Sequence, residues 1–248
     1  MEPILEGPIK RPRVSDQIVE RLEYSILSGT VKIGDVLPSE RDLMKRYGVG
    51  RPAVREALYT LAKRGIIELR SGSRPLVIAP DASAVMEDLS STAKYFLSKP
   101  DGIGNFQNLR EYLENSLARD AAKNATDAEI EGMKDALAAN KNAMGNREVF
   151  IQTDIDLHFL FASRTHNPII VAIHNAMTRW LYEQRTVALH SPEIEQISYA
   201  DHESIVRAVA ARDADAAEMA MQAHLSNVSN NYWAGKARGV PATQPGTP

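Results

Sequence analysis

LPSERDLMKRYGVGRPAVREALYTL, residues 37–61, holds two short helical patterns on either side of a glycine-centred break. Ser39 is a natural N-cap, because its hydroxyl can accept from a free backbone amide of the first turn. Leu43, Met44 and Tyr47 give the following helix an apolar face, and Gly48 supplies the left-handed residue that ends it. Pro52 suits the first turn of the next helix, where no amide donor is needed. Val54, Ala57, Leu58 and Leu61 line one side of that helix and leave Arg51, Arg55 and Thr60 on its other faces. The predicted unit is helix, turn of about four residues, helix.

Outward from this stretch, SDQIVERLEYSILS (15–28) places Ile18, Leu22 and Ile26 on one stripe, with Ser15 expected as the N-cap and Gly29 as the stop. After Gly65 the period changes. IIELR, a turn at Ser71-Gly72-Ser73 and PLVIA predict a small β-hairpin. Three helices and a hairpin make a winged helix-turn-helix. A recognition helix enters the major groove by its N-terminal end, where guanidinium groups bond guanine or phosphate. Arg51 and Arg55, one turn apart, are aimed together. Arg41, near the start of the preceding helix, would meet the backbone or a base edge beside them, and Arg70, Gly72 and Arg74 would follow the adjacent minor groove. The plain alternative is that these arginines are solvated surface charges.

PSERDLMKRYGVGRPAVREAL (38–58) resembles the winged-helix signature of GntR-family bacterial transcription regulators almost position for position. The resemblance implies DNA contact at Arg41, Arg51, Arg55 and Gly72. The family's wing commonly ends in a basic, Gly-rich tip with a Gly-Thr pair, and SGSRPLVI departs from it. A regulator of this kind is expected to bind a double-stranded operator, an inverted repeat, as a homodimer, since one recognition helix reads only a few base pairs.

Composition agrees with a two-domain reading. The chain has 248 residues, 44% hydrophobic and 25% charged, and a net charge of −3. Residues 1–80 carry 14 Lys+Arg against 10 Asp+Glu, and the remainder carries 15 against 22. A basic head, including Lys10 and Arg11 in an N-terminal arm, thus precedes an acidic body. The predicted domains are 1–80, DNA-binding, and 81–238, all-helical, followed by a disordered tail, 239–248. No apolar run is long enough to span a bilayer and no secretory leader is apparent, so a cytoplasmic protein is expected. With no cysteine, disulfides and thiolate chemistry are excluded, and any metal must be held by His, Asp or Glu.

Beyond residue 81 the pattern predicts helices over 82–98, 105–125, 127–143, 147–165, 168–189, 193–212 and 214–236, a bundle of six or seven. Thr126 to Glu129 forms a capping box, and Asn167-Pro168 starts the fifth helix. All six histidines fall here, four of them on apolar stripes. Asp154 and His158, four residues apart, share an inward face with Ile151 and Ile155. His202 lies with Ile205 and Val209, His224 with Met221 and Leu225, and His174 with Ile170, Met177 and Leu181. One carboxylate and three imidazoles suit a divalent ion, Zn²⁺ first, with Ni²⁺ or Mn²⁺ as alternatives. Against that stands the reading that these are satisfied core histidines. His166 and His190, at helix edges, are expected on the surface.

DIDLHFLFASRTHNPII (154–170), with His202 and His224-Leu225, resembles the C-terminal ligand-binding domain of the FadR-type branch of GntR regulators. Within that branch, 93–122 looks closest to repressors of sialic-acid catabolism. The resemblance implies Asp154, His158, His202 and His224 as metal ligands. It also implies Arg110 as the partner of an effector carboxylate, with His174 in the same pocket. Arg110 shares the stripe of Leu113 and Leu117, and a buried Arg needs an anion, either a small organic or sugar acid or an internal carboxylate such as Glu114. The expected function is a transcription regulator, a repressor released by such an acid. The alternative, an all-helical metalloenzyme with an appended DNA-binding domain, would need a base beside the metal. Glu203 is the one nominee, neighbours in a helix point about 100° apart, and no catalytic signature accompanies it. No enzyme activity is therefore expected.

Overall fold

The computed structural model describes residues 12–79 and 81–242. The chain divides into two compact units between Val85 and Met86, five residues beyond the boundary expected at 80/81. The division falls inside a helix, α4 (Ala82–Leu97), and Pro80 lies outside the described residues.

In the first unit, α1 (Val14–Leu27), α2 (Glu40–Tyr47) and α3 (Arg51–Lys63) precede β1 (Ile67–Glu68) and β2 (Leu76–Val77). Ser39 caps α2 by accepting from the Asp42 amide at 3.3 Å, and Gly48 ends it at φ +65°. Pro52 sits in the first turn of α3 as expected. Ser15 does not cap α1. The cap position belongs to Arg13, and Ser15 is buried in the first turn because the helix starts two residues earlier than a Ser15 cap would have it. The hairpin pairs Ile67 with Val77 and Glu68 with Leu76, antiparallel. Residues 34–37 add a third edge: the Val77 amide donates to Asp35 O and the Leu37 amide to Pro75 O, both at 2.8 Å. Ile18, Leu22, Leu43, Val54, Leu61 and Ile67 close over one core.

The second unit contains α5 (Gly102–Asn124), α6 (Asp127–Asn142), α7 (Arg147–Ser163), α8 (Pro168–Trp180), α9 (Tyr182–Ala188), α10 (Pro192–Ala210) and α11 (Ala214–Ala237). The expected capping box at Thr126 and Glu129 and the Asn167 cap are both present. The helix predicted over 168–189 is broken at Leu181, so α4 to α11 make eight helices among the described residues rather than six or seven. Ala118, Ala121, Ala122, Ala162 and Ala217 lie between α5, α7 and α11. Side chains that small let backbones approach closely. Leu157, Ile205 and Met221, each almost fully buried, contribute about 1.5–3 kcal/mol apiece. Helices α5, α7 and α11 also carry Glu114, Asp154, His158 and His224 of the centre described next. No helix among the described residues is long and apolar enough to cross a membrane.

Candidate functional site

Asp154, His158, His202 and His224 come together from three helices, all buried, each offering one ligand atom within 4.8 Å of the others. Asp154 and His158 lie one turn apart on α7, while α10 and α11 bring in His202 and His224. Asp154 Oδ1 is 3.2 Å from His202 Nε2 and 3.9 Å from His158 Nε2, and His158 Nε2 is 3.2 Å from His224 Nε2. Tetrahedral ligation at Zn–N bonds of about 2.0–2.1 Å needs ligand atoms about 3.3 Å apart, a spacing that the two 3.2 Å pairs meet and that the 3.9 Å pair exceeds.

The second layer of side chains settles which ring nitrogens face inward. His158 Nδ1 donates to Glu114 Oε2, and His202 Nδ1 donates to Asn140 Oδ1 at 3.0 Å. Asn140 is itself fixed, its amide donating to Phe150 O at 3.3 Å and Thr153 Oγ1 at 3.0 Å. His224 Nδ1 faces Asp201 Oδ2 at 3.6 Å, and Asn227 holds that carboxylate at 2.9 Å. His158 and His202, with Nδ1 donating outward, thus turn an Nε2 lone pair toward the centre, where His224 Nε2 also lies. His202 Nε2 has no hydrogen-bond partner, although it is buried. Lone pairs converging on a carboxylate repel one another unless a cation lies between them. The protonation states agree. Burial pushes the His158 imidazole down, and burial with His202 alongside pushes His224 down to about 3. Burial alone would raise the Asp154 carboxyl, but Arg185, His202 and His158 outweigh it and hold the group well below the usual carboxylate range. His158 and His224 are thus held toward the neutral form and Asp154 toward the ionised form, the states a metal requires of such ligands. The quartet can hold a divalent ion.

Arg110 is buried and spends Nε on Glu114 Oε1 at 2.6 Å, the internal partner that its position on α5 allowed. Its Nη2 has no partner. His174 is buried with neither ring nitrogen paired, and burial pushes it down to about 4. The sequence reading missed Arg185, which is buried on α9 with Nε 3.0 Å from Asp154 Oδ2 and Nη1 unpaired. A signal was there, because the stripe of Ile170, His174, Met177 and Leu181 reaches position 185 one turn later. Asn140 and Asp201 were missed as well. His166 is exposed as expected, but His190 is half-buried, its Nδ1 3.0 Å from Val187 O. Glu203 is exposed and turned away from the quartet toward Tyr199.

In the first unit, Arg41, Arg51 and Arg55 are all exposed at the N-terminal ends of α2 and α3. Glu40 in the first turn of α2 approaches Arg51 Nε at 3.2 Å and Arg55 Nε at 3.6 Å. Arg55 Nη2 also donates to Tyr59 Oη at 3.2 Å. Gly72 tips the hairpin at φ +73°, a conformation that favours glycine. Arg70, considered for the minor groove, is instead engaged side-on by Glu68, with both bonds at 2.9 Å. Lys10 and Arg11 of the basic arm lie outside the described residues.

Residues 14–77 match the bacterial regulatory proteins of the gntR family, and residues 106–227 match the FCD domain. The chain is 41% identical over 229 residues to the HTH-type transcriptional repressor NanR of Citrobacter rodentium (strain ICC168), covering 92% of this chain and 88% of that protein. It is 41% identical over 231 residues to the repressor of the same name from Escherichia coli (strain K12), covering 92% and 87%. Among solved structures, Streptococcus agalactiae GntR shares the fold with a TM-score of 0.61 at 22% identity, over 87% of this chain and 99% of that one. The two NanR relatives are named as transcriptional repressors. With exposed arginines at the starts of two helices, a wing and a separate helical unit that buries a His/Asp cluster, the chain belongs to the GntR family of DNA-binding transcription regulators, in the group that carries an FCD domain.

Proposed function

We propose that the protein is a cytoplasmic homodimeric repressor that binds an inverted-repeat operator through Arg41, Arg51, Arg55 and the Gly72 wing, and releases it when a small carboxylic or sugar acid binds in the helical unit. The domain limits proposed are 1–80 and 81–238. Asp154, His158, His202 and His224 would hold the ion, with zinc favoured over nickel and manganese because imidazole-rich four-ligand sets suit it. When bound, the ion supplies a Lewis-acidic position for a carboxylate oxygen. Arg110 and His174 are the effector-binding residues, and Arg185 joins them.

One observation carries the effector class. The buried donors Arg110 Nη2 and Arg185 Nη1, and both ring nitrogens of His174, one of them a donor in the neutral ring, lack partners around a centre whose charges nearly balance. Among the charged groups in direct contact there, Arg110 and Arg185 face Glu114, Asp154 and Asp201. A dication turns that surplus of one negative charge into one positive charge. A monocarboxylate neutralises it. Repression is supported by the relatives named repressor at 41% identity. Sialic acid heads the panel of candidate acids, because residues 93–122 resemble repressors of its catabolism.

The test is calorimetric titration of zinc-loaded protein with a panel of sugar acids, in parallel with operator binding. The wild type should bind one acid and lose operator affinity, and Arg110→Ala should bind that acid at least tenfold more weakly. An acid that binds Arg110→Ala as tightly as wild type yet still moves DNA affinity would place the switch in another pocket. The operator shift can be no larger than the acid's differential affinity for the two states.

A further inference from the structure

Glu40 belongs to α2, yet its carboxylate bridges the two arginines at the start of α3, Arg51 Nε at 3.2 Å and Arg55 Nε at 3.6 Å. Both contacts are made at Nε. A guanidinium reads guanine O6 and N7 with two of its N–H groups, so a carboxylate resting on one edge leaves the others of Arg51 free. Glu40 is half-buried in the first turn of α2, where the helix dipole favours an anion. Arg55 is further steered by Tyr59, whose hydroxyl receives Nη2 at 3.2 Å and whose ring centroid lies 5.8 Å from Cζ.

We propose that Glu40 is a specificity-determining positioning residue, which aims Arg51 and Arg55 at base edges and penalises their use as plain phosphate binders. In the base-reading pose the bridge persists. On DNA of the wrong sequence, the two arginines gain only by swinging toward phosphate, and to do so they must abandon Glu40. The carboxylate also cancels one of the two positive charges that this corner offers to any duplex. Glu40 therefore costs the non-specific complex more than the specific one, and discrimination rises without any contact between Glu40 and a base. The worth of such an exposed pair to folding is small. Its worth here lies in the difference between two DNA complexes.

The experiment compares wild type, Glu40→Gln and Glu56→Gln on two duplexes, across salt concentrations. One duplex is the best sequence recovered by wild type from a random pool, and the other is a scrambled control. Glu56 follows Arg55 on α3 but pairs with Arg13 at 3.5 Å, so its variant removes the same charge from the recognition helix without breaking the Glu40 bridge. Glu40→Gln is expected to bind the scrambled duplex up to about eightfold more tightly at 0.1 M salt, with a salt slope steeper by about 0.9, the effect of one more released counterion. Its affinity for the selected duplex should change less, so the ratio of the two falls. Three outcomes overturn the proposal: an unchanged ratio, an equal change in Glu56→Gln, or loss of discrimination at one C·G pair with no change on the scrambled duplex. The last would make Glu40 a direct reader of cytosine. Unfolding midpoints measured alongside should agree within a few degrees, which separates a lost fold from lost discrimination.

Discussion

Asp154 divides its carboxylate between opposite neighbours: Oδ2 lies 3.0 Å from Nε of buried Arg185, while Oδ1 looks at His202 Nε2 from 3.2 Å. One oxygen is neutralised by the protein, and the other is left for the histidine cluster. Arg185→Met should therefore strand a buried anion and destabilise the metal-free protein by about 3–5 kcal/mol. With saturating zinc the deficit should shrink by half or more, because a dication beside Oδ1 replaces the lost guanidinium. Urea unfolding with chelator and with zinc measures both numbers, and equal deficits in the two conditions would show that Asp154 is not a ligand.

Metal content follows from the same quartet. Protein prepared without chelator or nickel affinity resin should carry close to one divalent ion per chain by elemental analysis. His202→Ala and His224→Ala should lose it. Asn140→Ala keeps all four ligands but frees the His202 ring, and should weaken the ion by about 10–100-fold. At a free metal concentration about 100 times Kd, wild type gains about 2.7 kcal/mol of stability. Wild type with no ion and no gain on adding zinc, nickel or manganese would return these histidines to the core-residue reading.

Acid sensitivity has a definite sign. Burial pushes His174 from its ordinary 6.5 down to about 4, so between those values the unfolded chain binds a proton that the folded chain refuses. Stability from this residue is intact above pH 6.5 and is lost as the pH falls toward 4, by about 3 kcal/mol at most. His174→Leu removes the group from both states, and its unfolding free energy should fall less steeply than wild type across that window. Parallel curves for the two proteins would show that His174 is not held neutral.

At the DNA end, Arg51→Ala or Arg55→Ala should cost about 1–3 kcal/mol each on the operator and relax preference at defined bases. Mobility shifts at fixed salt with single-base variants of the operator read both effects. A variant that loses affinity equally on every sequence has lost a phosphate contact instead.

Much of this was legible in the chain. The winged helix-turn-helix could be read from Ser39, Gly48, Pro52 and the apolar spacing around them, because caps and helical periodicity are local properties that tertiary packing seldom overrides. The four residues that could hold a metal could be read only as inward-facing positions on separate helices. Asp154 and His158 are neighbours through one turn of α7, and that spacing is local. His202 and His224 join them only because α10 and α11 pack against α5 and α7 over a bed of alanines.

What the sequence determined by itself was which residues face inward and which helix end carries the arginines, since both follow from a period of 3.6 residues and from capping chemistry. Tertiary structure decided the partners. Glu114, Asn140 and Asp201 reach the three rings from α5, α6 and α10, Arg185 reaches Asp154 from beyond the break at Leu181, and Glu40 crosses from α2 to the arginines of α3. The physical reason is range. A helical stripe is set within a few residues of chain, whereas a buried charge or an imidazole tautomer is set by whichever side chain packing brings within about 3 Å, from any distance along the sequence.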